Sequence, residues 1–119
     1  VSFCYPTRPN QLIFDRFCLD VAPGTTVALV GPSGGGKSTA VALIERFYDP
    51  AAGSIFIDGI NIKDLNVNHL RSQLGYVGQE PTLFDTTIAE NIMRGHPGAT
   101  KEQIIEAAKA SNAHDFIMS

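Results

Sequence analysis

The sequence predicts an α/β fold in which a strand, a glycine-rich loop and a helix follow one another. The nearly apolar run at 25–30 is typical of a buried strand in a parallel sheet. The stretch GPSGGGKST at 31–39 contains four glycines, although ordering glycine costs more chain entropy than ordering any other residue. Apolar residues then recur at helical spacing up to Tyr48, and Asp49-Pro50 stops the pattern. A backbone without side chains between a strand and a helix predicts close approach to a ligand.

The composition indicates one globular domain. The chain has 119 residues, of which 44% are hydrophobic and 18% charged, enough to build a core. Its net charge of −3 argues against nucleic acid as the main partner, because binding to phosphate backbones needs clustered basic residues. The chain begins without Met and stops just after a helical pattern, so we expect it to be a fragment of a longer protein.

Alternating apolar residues and turn residues predict several short β-strands. Apolar residues alternate in 1–5 and again in 12–21, which predicts short strands there. Asp58-Gly59 is a hairpin-turn dipeptide, so a strand is predicted on each side of it within 54–64. The run LGYV at 74–77 predicts a further strand.

Helix starts are predicted from capping residues in the second half of the chain. A short helix is expected within 67–74, capped by Asn66 or Asn68. Two capping boxes, in which a Thr is followed three residues later by Glu or Gln, predict two more helices. Their residues are Thr87 with Glu90, and Thr100 with Gln103.

The glycine-rich stretch matches the phosphate-binding loop pattern, Gly-x-x-x-x-Gly-Lys-Ser, in the strand–loop–helix context that the pattern requires. Successive backbone N–H groups can surround an anion there, and the helix N-terminus adds positive dipole character. We expect Lys37 to contact the β- and γ-phosphates of a nucleotide, Ser38 to bind Mg²⁺, and Thr39 to support the α-phosphate. The alternative is a flexible glycine hinge that happens to precede a lysine. The predicted phosphate-binding residues are Gly31, Pro32, Ser33, Gly34, Gly35, Gly36, Lys37, Ser38 and Thr39.

Further segments resemble a known family more specifically than the phosphate-binding loop does alone. FCYPTRP, DPAAGSIFIDG, LGYVGQEPTLFDTTIAENI and SNAHDFIMS follow one another with the loop among them. Together they resemble the nucleotide-binding domain of ATP-binding-cassette (ABC) transporters, most closely exporters of the P-glycoprotein/multidrug-resistance type. The resemblance covers essentially the whole chain. It implies a P-loop NTPase fold with a partial RecA-like core, an N-terminal antiparallel β-subdomain and the start of a helical subdomain. The implied segments are 1–30 and 54–64 (β-subdomain and core strands), 31–48 (P-loop and helix), 74–80 (core strand and Q-loop) and 81–119 (start of the helical subdomain).

The same resemblance implies roles for two residues outside the loop. Tyr5 corresponds to the aromatic residue that stacks on the adenine ring; the alternative is a strand-edge tyrosine that packs on the β-subdomain. Gln79 corresponds to the Q-loop glutamine, which reaches Mg²⁺ or the attacking water. The segment after Gln79 faces the membrane domain in this family, which makes Phe84, Thr86 and Thr87 candidates for that contact. The alternative is that Leu83 and Phe84 simply cover the core.

One segment imitates a Mg²⁺-binding motif. The run IFID ending at Asp58 resembles the Walker B strand of nucleotide-binding domains. Only three apolar residues precede Asp58, however, and Gly59 follows where a catalytic Glu would be expected. The hairpin turn is therefore favoured.

The resemblance implies that the protein binds ATP and Mg²⁺ and hydrolyses ATP to drive transport, as part of an integral membrane exporter at the cytoplasmic face of the membrane. It also implies two partners: a second nucleotide-binding domain docked head to tail, and transmembrane domains. The alternative is a soluble ABC-type ATPase module with a regulatory or nucleic-acid-related role. The signature motif, Walker B and switch His of the family do not occur in these 119 residues, so we expect the isolated chain to be catalytically inactive.

Overall fold

A computed structural model describes all 119 residues, which form two compact units. The first unit is Val1–Leu74 and the second is Gly75–Ser119. The first contains two small antiparallel sheets, two α-helices and a 3₁₀ turn, and the second contains three α-helices. None of these helices is long and apolar enough to cross a membrane.

The core of the first unit lies between a two-stranded sheet and one helix. Strand β1 (Phe3–Cys4) pairs antiparallel with β2 (Leu12–Phe14), so that Phe3 is opposite Phe14. Both phenylalanines are buried against α1 (Lys37–Ile44), which contributes Ala40 and Leu43 to the same cluster. The two α1 residues are three positions apart and therefore share one face of the helix. This packing holds the N-terminal end of α1 close to β2.

The hairpin predicted at Asp58-Gly59 is confirmed. Strands β3 (Phe56–Ile57) and β4 (Ile60–Asn61) pair antiparallel, with Ile57 opposite Ile60. Asp58 has φ = 50° and Gly59 has φ = 78°, the left-handed pair of a type I′ turn, whose twist matches that of the strands. Asp58 is therefore a turn residue, as the sequence favoured.

Helix α1 ends four residues before the predicted Tyr48. Arg46 takes a left-handed conformation, with φ = 55°. The N–H of Phe47 then donates to the carbonyl of Ala42 (2.9 Å) and the N–H of Arg46 to that of Leu43 (3.2 Å), which is a Schellman end. Left-handed backbone costs a residue other than glycine about 1–3 kcal/mol. The sequence pattern missed this end because no glycine marks it.

Arginine side chains hold the C-terminal end of α1. The Nη1 of Arg46 donates to the carbonyls of Ile62, Lys63 and Leu65, at 3.1, 3.4 and 3.3 Å. The first two carbonyls belong to a 3₁₀ turn, η1 (Ile62–Asp64). These bonds fix the guanidinium and with it the unusual backbone of Arg46.

A second arginine reaches the same end of α1 from α2 (Val67–Ser72), a helix capped by Asn66, one of the two caps that the sequence predicted. Arg71 donates through Nε to the carbonyl of Glu45 (3.0 Å) and through Nη2 to that of Arg46 (3.1 Å). Its guanidinium also lies over the ring of Phe47, 5.1 Å from the centroid. Cations at a helix C-terminus are favourable because they satisfy the last carbonyls and complement the helix dipole.

Replacing Arg71 by Met should loosen the end of α1. Both charge-assisted bonds disappear while the aliphatic stem is kept, so the amides of 45–47 should exchange with deuterium about tenfold faster, for a local loss of about 1.4 kcal/mol. Hydrogen exchange with mass spectrometry on the intact protein measures this. Arg8→Met is the matched control, because the exposed Arg8 side chain has no polar partner. Equal exchange in both variants would contradict the assignment.

Three predicted strand segments are not strands in the structure. The segments 17–21, 25–30 and 74–77 belong to neither sheet, although Phe17 exchanges two backbone hydrogen bonds with Val1, at 2.7 and 2.8 Å. Val30 is 89% exposed and Val77 is 96% exposed. A strand is defined by its hydrogen-bonded neighbour, so an apolar run gains a ladder only where another segment lies alongside it. Hydrophobic pattern alone could not reveal whether that neighbour is present.

The second unit is built from α3 (Ile88–Met93), α4 (Lys101–Ala110) and α5 (His114–Met118), with α4 in contact with both others. Both predicted capping boxes are confirmed: the Thr side chain accepts from the third residue of the helix, whose own side chain accepts from the Thr backbone N–H. In the first box, the backbone N–H and hydroxyl of Thr87 lower the pKa of Glu90. The boxes fix where α3 and α4 begin.

Candidate phosphate-binding site

No side chain caps the N-terminal end of α1, and of the other α-helices only the five-residue α5 also lacks such a cap. Helices α2, α3 and α4 each begin at a side-chain oxygen, supplied by Asn66, Thr87 and Thr100. Helix α1 begins at Gly36 with no side-chain cap and no acidic residue in its first turn. The first amides of a helix have no partner within it, so those of 37–39 point out of the helix end. The sequence therefore leaves a set of N–H donors there for another group.

Gly36 is required at this point for two reasons. Its φ of 85° and ψ of 5° lie in the left-handed region, which glycine adopts without penalty. A Cβ at this position would also lie 2.7 Å from Cε1 of Phe14 and 3.0 Å from Cγ2 of Ile13. Because Phe14 belongs to the buried core, it cannot move away freely. The close packing of the loop on β2 thus sets the position of the first turn of α1.

The ammonium group of Lys37 is held over the loop by the backbone. Its Nζ donates to the carbonyl of Gly31 at 2.7 Å and to that of Pro32 at 2.6 Å. An ammonium group has three N–H donors, so one remains for another acceptor. No carboxylate lies within ion-pair distance of Lys37, and its positive charge is not neutralised within the chain. The lysine is therefore a positioned cation with one unused donor, next to unused amides.

Ser38 and Thr39 follow Lys37 but lie in different surroundings. Ser38 is exposed and its hydroxyl makes no hydrogen bond to another group of the protein. Thr39 is only 4% exposed, and its Oγ1 is 2.7 Å from the hydroxyl oxygen of Tyr5. The structure thus leaves the Ser38 hydroxyl available, as expected for a metal ligand. It gives the Thr39 hydroxyl a partner that the sequence did not predict.

Tyr5 directly follows β1 and is part of an aromatic cluster. Its ring meets that of Phe3 at a centroid distance of 5.1 Å and an angle of 78°, and that of Tyr48 at 5.3 Å and 88°. Both arrangements are edge-to-face, the favourable geometry for aromatic pairs. Tyr5 itself is half-buried. The packing contacts of the structural alternative are therefore present, and stacking on adenine stays a prediction.

Gln79 lies in the second unit, exposed, in an irregular segment. Its predicted contact with Mg²⁺ or water stays a prediction. The segment that follows is ordered by Asn91, whose Nδ2 donates to the carbonyls of Phe84 (3.0 Å) and Thr87 (3.0 Å). The Oδ1 of Asn91 accepts from the N–H of Phe84 at 2.9 Å. One α3 side chain therefore fixes the loop that precedes its own helix.

The loop beside Asn91 borders a groove within the second unit. The groove has a volume of about 690 Å³ and a mostly apolar lining that includes Phe84, Ile92 and Ile117. Arg94 covers the Phe84 ring, with its guanidinium carbon 3.6 Å from the centroid. Phe84 remains 47% exposed and Leu83 79% exposed, so neither is a core residue of the unit. Whether they cover a core or contact another domain stays a prediction.

Two functional features of the site were missed by sequence reasoning. The first is the contact of Gly36 with Phe14, which involves residues 22 positions apart and leaves no local pattern. The second is the hydrogen bond between Tyr5 and Thr39, 34 positions apart. A weak signal existed for the second, since Thr39 follows the loop at a position that could face either the ligand or the core.

Comparisons with known proteins show which family the chain belongs to. The sequence profile of the ABC transporter family matches residues 14–118. ABC transporter B family member 2 of Dictyostelium discoideum is 59% identical over 119 residues, which are 100% of this chain and 8% of that protein. ABC transporter B family member 15 of Arabidopsis thaliana is 60% identical over 117 residues, which are 98% of this chain and 9% of that protein.

A solved structure of a bacterial Atm1-family ABC exporter with ATP bound matches 99% of this chain and 20% of its own, with a TM-score of 0.93 and 43% sequence identity. The predicted fold class, part of a P-loop NTPase core, is thereby confirmed. The chain spans less than a tenth of the length of the two curated relatives named above. Since the family profile covers most of the sequence and the relatives match nearly all of it, this chain belongs to the ABC transporter family.

Proposed function

We propose that this chain binds ATP through the loop at 31–39, as part of the ATPase motor of a membrane exporter. The observation that carries the proposal is the uncapped N-terminus of α1 beside an ammonium group held by two loop carbonyls. Amide donors, a helix dipole and a fixed cation at one point are complementary to a polyphosphate and to few other biological ligands. The solved structure of the bacterial exporter has ATP bound, which supports the choice of nucleotide.

In this proposal each residue of the site has one role. The amides of 37–39 bind phosphate oxygens, and the remaining N–H of Lys37 binds the β- and γ-phosphates. The exposed hydroxyl of Ser38 is a ligand for Mg²⁺, which neutralises part of the phosphate charge when bound. Gln79 contributes to the metal or the attacking water. Tyr5 stacks on the adenine ring.

Hydrolysis and transport are assigned to the intact protein rather than to this chain. In the proposed assembly a second nucleotide-binding domain docks head to tail and completes the phosphate contacts, so that ATP closes the pair and hydrolysis opens it. Exposed Phe84 and Leu83, on a loop ordered by Asn91, support a contact with the transmembrane domains through the segment after Gln79. The relatives named as ABC transporters support a transport role, and the solved neighbour named as an ABC exporter supports export.

The proposal is tested by competition against labelled ATP in the intact protein. If phosphates carry the binding, affinity should fall in the order ATP, ADP, AMP. Removal of two phosphates eliminates several charge-assisted hydrogen bonds of about 1.5–3 kcal/mol each, so AMP should bind at least about 100-fold more weakly than ATP. If AMP and ATP compete with labelled ATP at equal affinity, the phosphate-binding assignment is contradicted. Loss of the protein from membranes on alkaline carbonate extraction would sink the exporter assignment separately.

A further inference from the structure

Thr39 is a buried polar residue in the turn of α1 that begins with Lys37. Only 4% of it is exposed, and its hydroxyl is 2.7 Å from that of Tyr5. A buried hydroxyl needs a hydrogen-bond partner, because burial without one costs about 1–3 kcal/mol. Here the partner is the half-buried Tyr5, which packs against the core cluster of the first unit. The bond joins the phosphate-binding helix directly to the residue expected to contact the base.

The Tyr5 ring is held in three places at once. Its hydroxyl is bonded to Thr39, and its ring is in edge-to-face contact with Phe3 and Tyr48. The edge contacts restrict rotation of the ring plane but leave sliding along it open, since such contacts are broad in angle. A hydrogen bond at the far end of the ring removes that freedom, because the bond is short and directional.

We propose that Thr39 is a positioning residue for base recognition, acting through its hydrogen bond to Tyr5. This inference rests on the proposed function, since it specifies how the nucleotide's base is held. The backbone N–H of Thr39 remains available to phosphate, while its side chain serves the tyrosine. The side chain of Thr39 thus orients the aromatic face, and the phosphates contact only its backbone.

Thr39→Val tests the inference, because valine has nearly the shape of threonine but lacks the hydroxyl. In the intact protein, affinity for ATP should fall about three- to tenfold, the value of one neutral hydrogen bond that orients a stacking residue. Affinity for inorganic tripolyphosphate, which has no base, should not change. Thr39→Ser keeps the hydroxyl and should retain the wild-type ATP affinity. Both ligands are measured by competition against labelled ATP.

A double-mutant cycle makes the test independent of tripolyphosphate. Tyr5→Phe keeps the stacking ring and removes only the hydroxyl, so it should weaken ATP binding as much as Thr39→Val does. The double variant should be no weaker than either single variant, because the two substitutions remove the same bond. If the fold-loss of ATP affinity in the double variant equals the product of the two single losses, the hydroxyls act separately and the inference is overturned.

The remaining outcomes are also decisive. Equal loss of ATP and tripolyphosphate affinity in Thr39→Val would assign its hydroxyl to phosphate instead, and wild-type ATP affinity in that variant would remove any role for the bond. Either result overturns the inference while the proposed function stands. If the wild-type protein itself fails to bind ATP, the proposed function has failed and the inference with it.

Discussion

Lys37→Ala should lower the affinity of the intact protein for ATP about 100-fold or more. The substitution removes the cation that the carbonyls of Gly31 and Pro32 hold over the loop. A hydrogen bond to a charged group contributes about 1.5–3 kcal/mol, and the charge itself attracts the remaining phosphates. Because Lys37 is expected at the β- and γ-phosphates, the affinity for AMP should change little. Competition against labelled ATP, with all three nucleotides, measures the difference.

The matched control for this experiment is Lys63→Ala. Lys63 is exposed on η1, and its ammonium group has no partner in the chain. Removing it changes the net charge by the same amount as removing Lys37, so non-specific attraction of the anionic ligand falls equally in both variants. If Lys37→Ala binds ATP within about twofold of Lys63→Ala, the lysine does not touch the phosphates.

Gly36→Ala should abolish measurable ATP binding by disturbing the first turn of α1. The added Cβ would lie 2.7 Å from Cε1 of Phe14, and the residue would also sit at φ = 85°. Overpacking of a core costs about 1–3 kcal/mol and left-handed backbone about 1–3 kcal/mol more. Relief of both requires the loop to move away from β2, which displaces the amides that bind phosphate. Affinity for ATP and hydrogen exchange in the 31–40 segment measure the two consequences.

The contribution of the clash can be separated from that of the backbone. Gly34→Ala, in the same loop, places a residue at φ = 81° with nothing within 4 Å of the new Cβ. The loss of ATP affinity should therefore be smaller in Gly34→Ala than in Gly36→Ala. Adding Phe14→Leu to Gly36→Ala removes the ring atoms that clash, leaves only the contact with Ile13 and should recover part of the lost affinity. A double variant as weak as the single one would show that packing on Phe14 is not the cause.

The parts of the structure that depend on neighbouring residues could be predicted from the sequence. The two capping boxes, the Asn66 cap and the Asp58-Gly59 turn each depend on side chains within three or four positions, and all are confirmed. The loop at 31–39 belongs to the same class, because glycine, lysine and serine spacing defines it locally. Such features need no knowledge of the rest of the fold.

Features that depend on distant residues could not be predicted. The end of α1 at Arg46 follows from carbonyls of 62–65, which hold its guanidinium in place. The hydroxyl of the buried Thr39 has its hydrogen-bond partner in Tyr5, 34 positions away. Whether the 25–30 segment forms a strand depends on a pairing segment elsewhere in the chain. In each case the stability of the local conformation depends on a partner that lies outside the local sequence.

The bonds from Arg71 to the carbonyls of Glu45 and Arg46, the two residues that follow α1, have a mechanical consequence. They join the C-terminal end of α1 to α2, since the Arg71 guanidinium donates to two successive backbone oxygens. A displacement of that end of α1 would therefore either carry α2 with it or break both bonds.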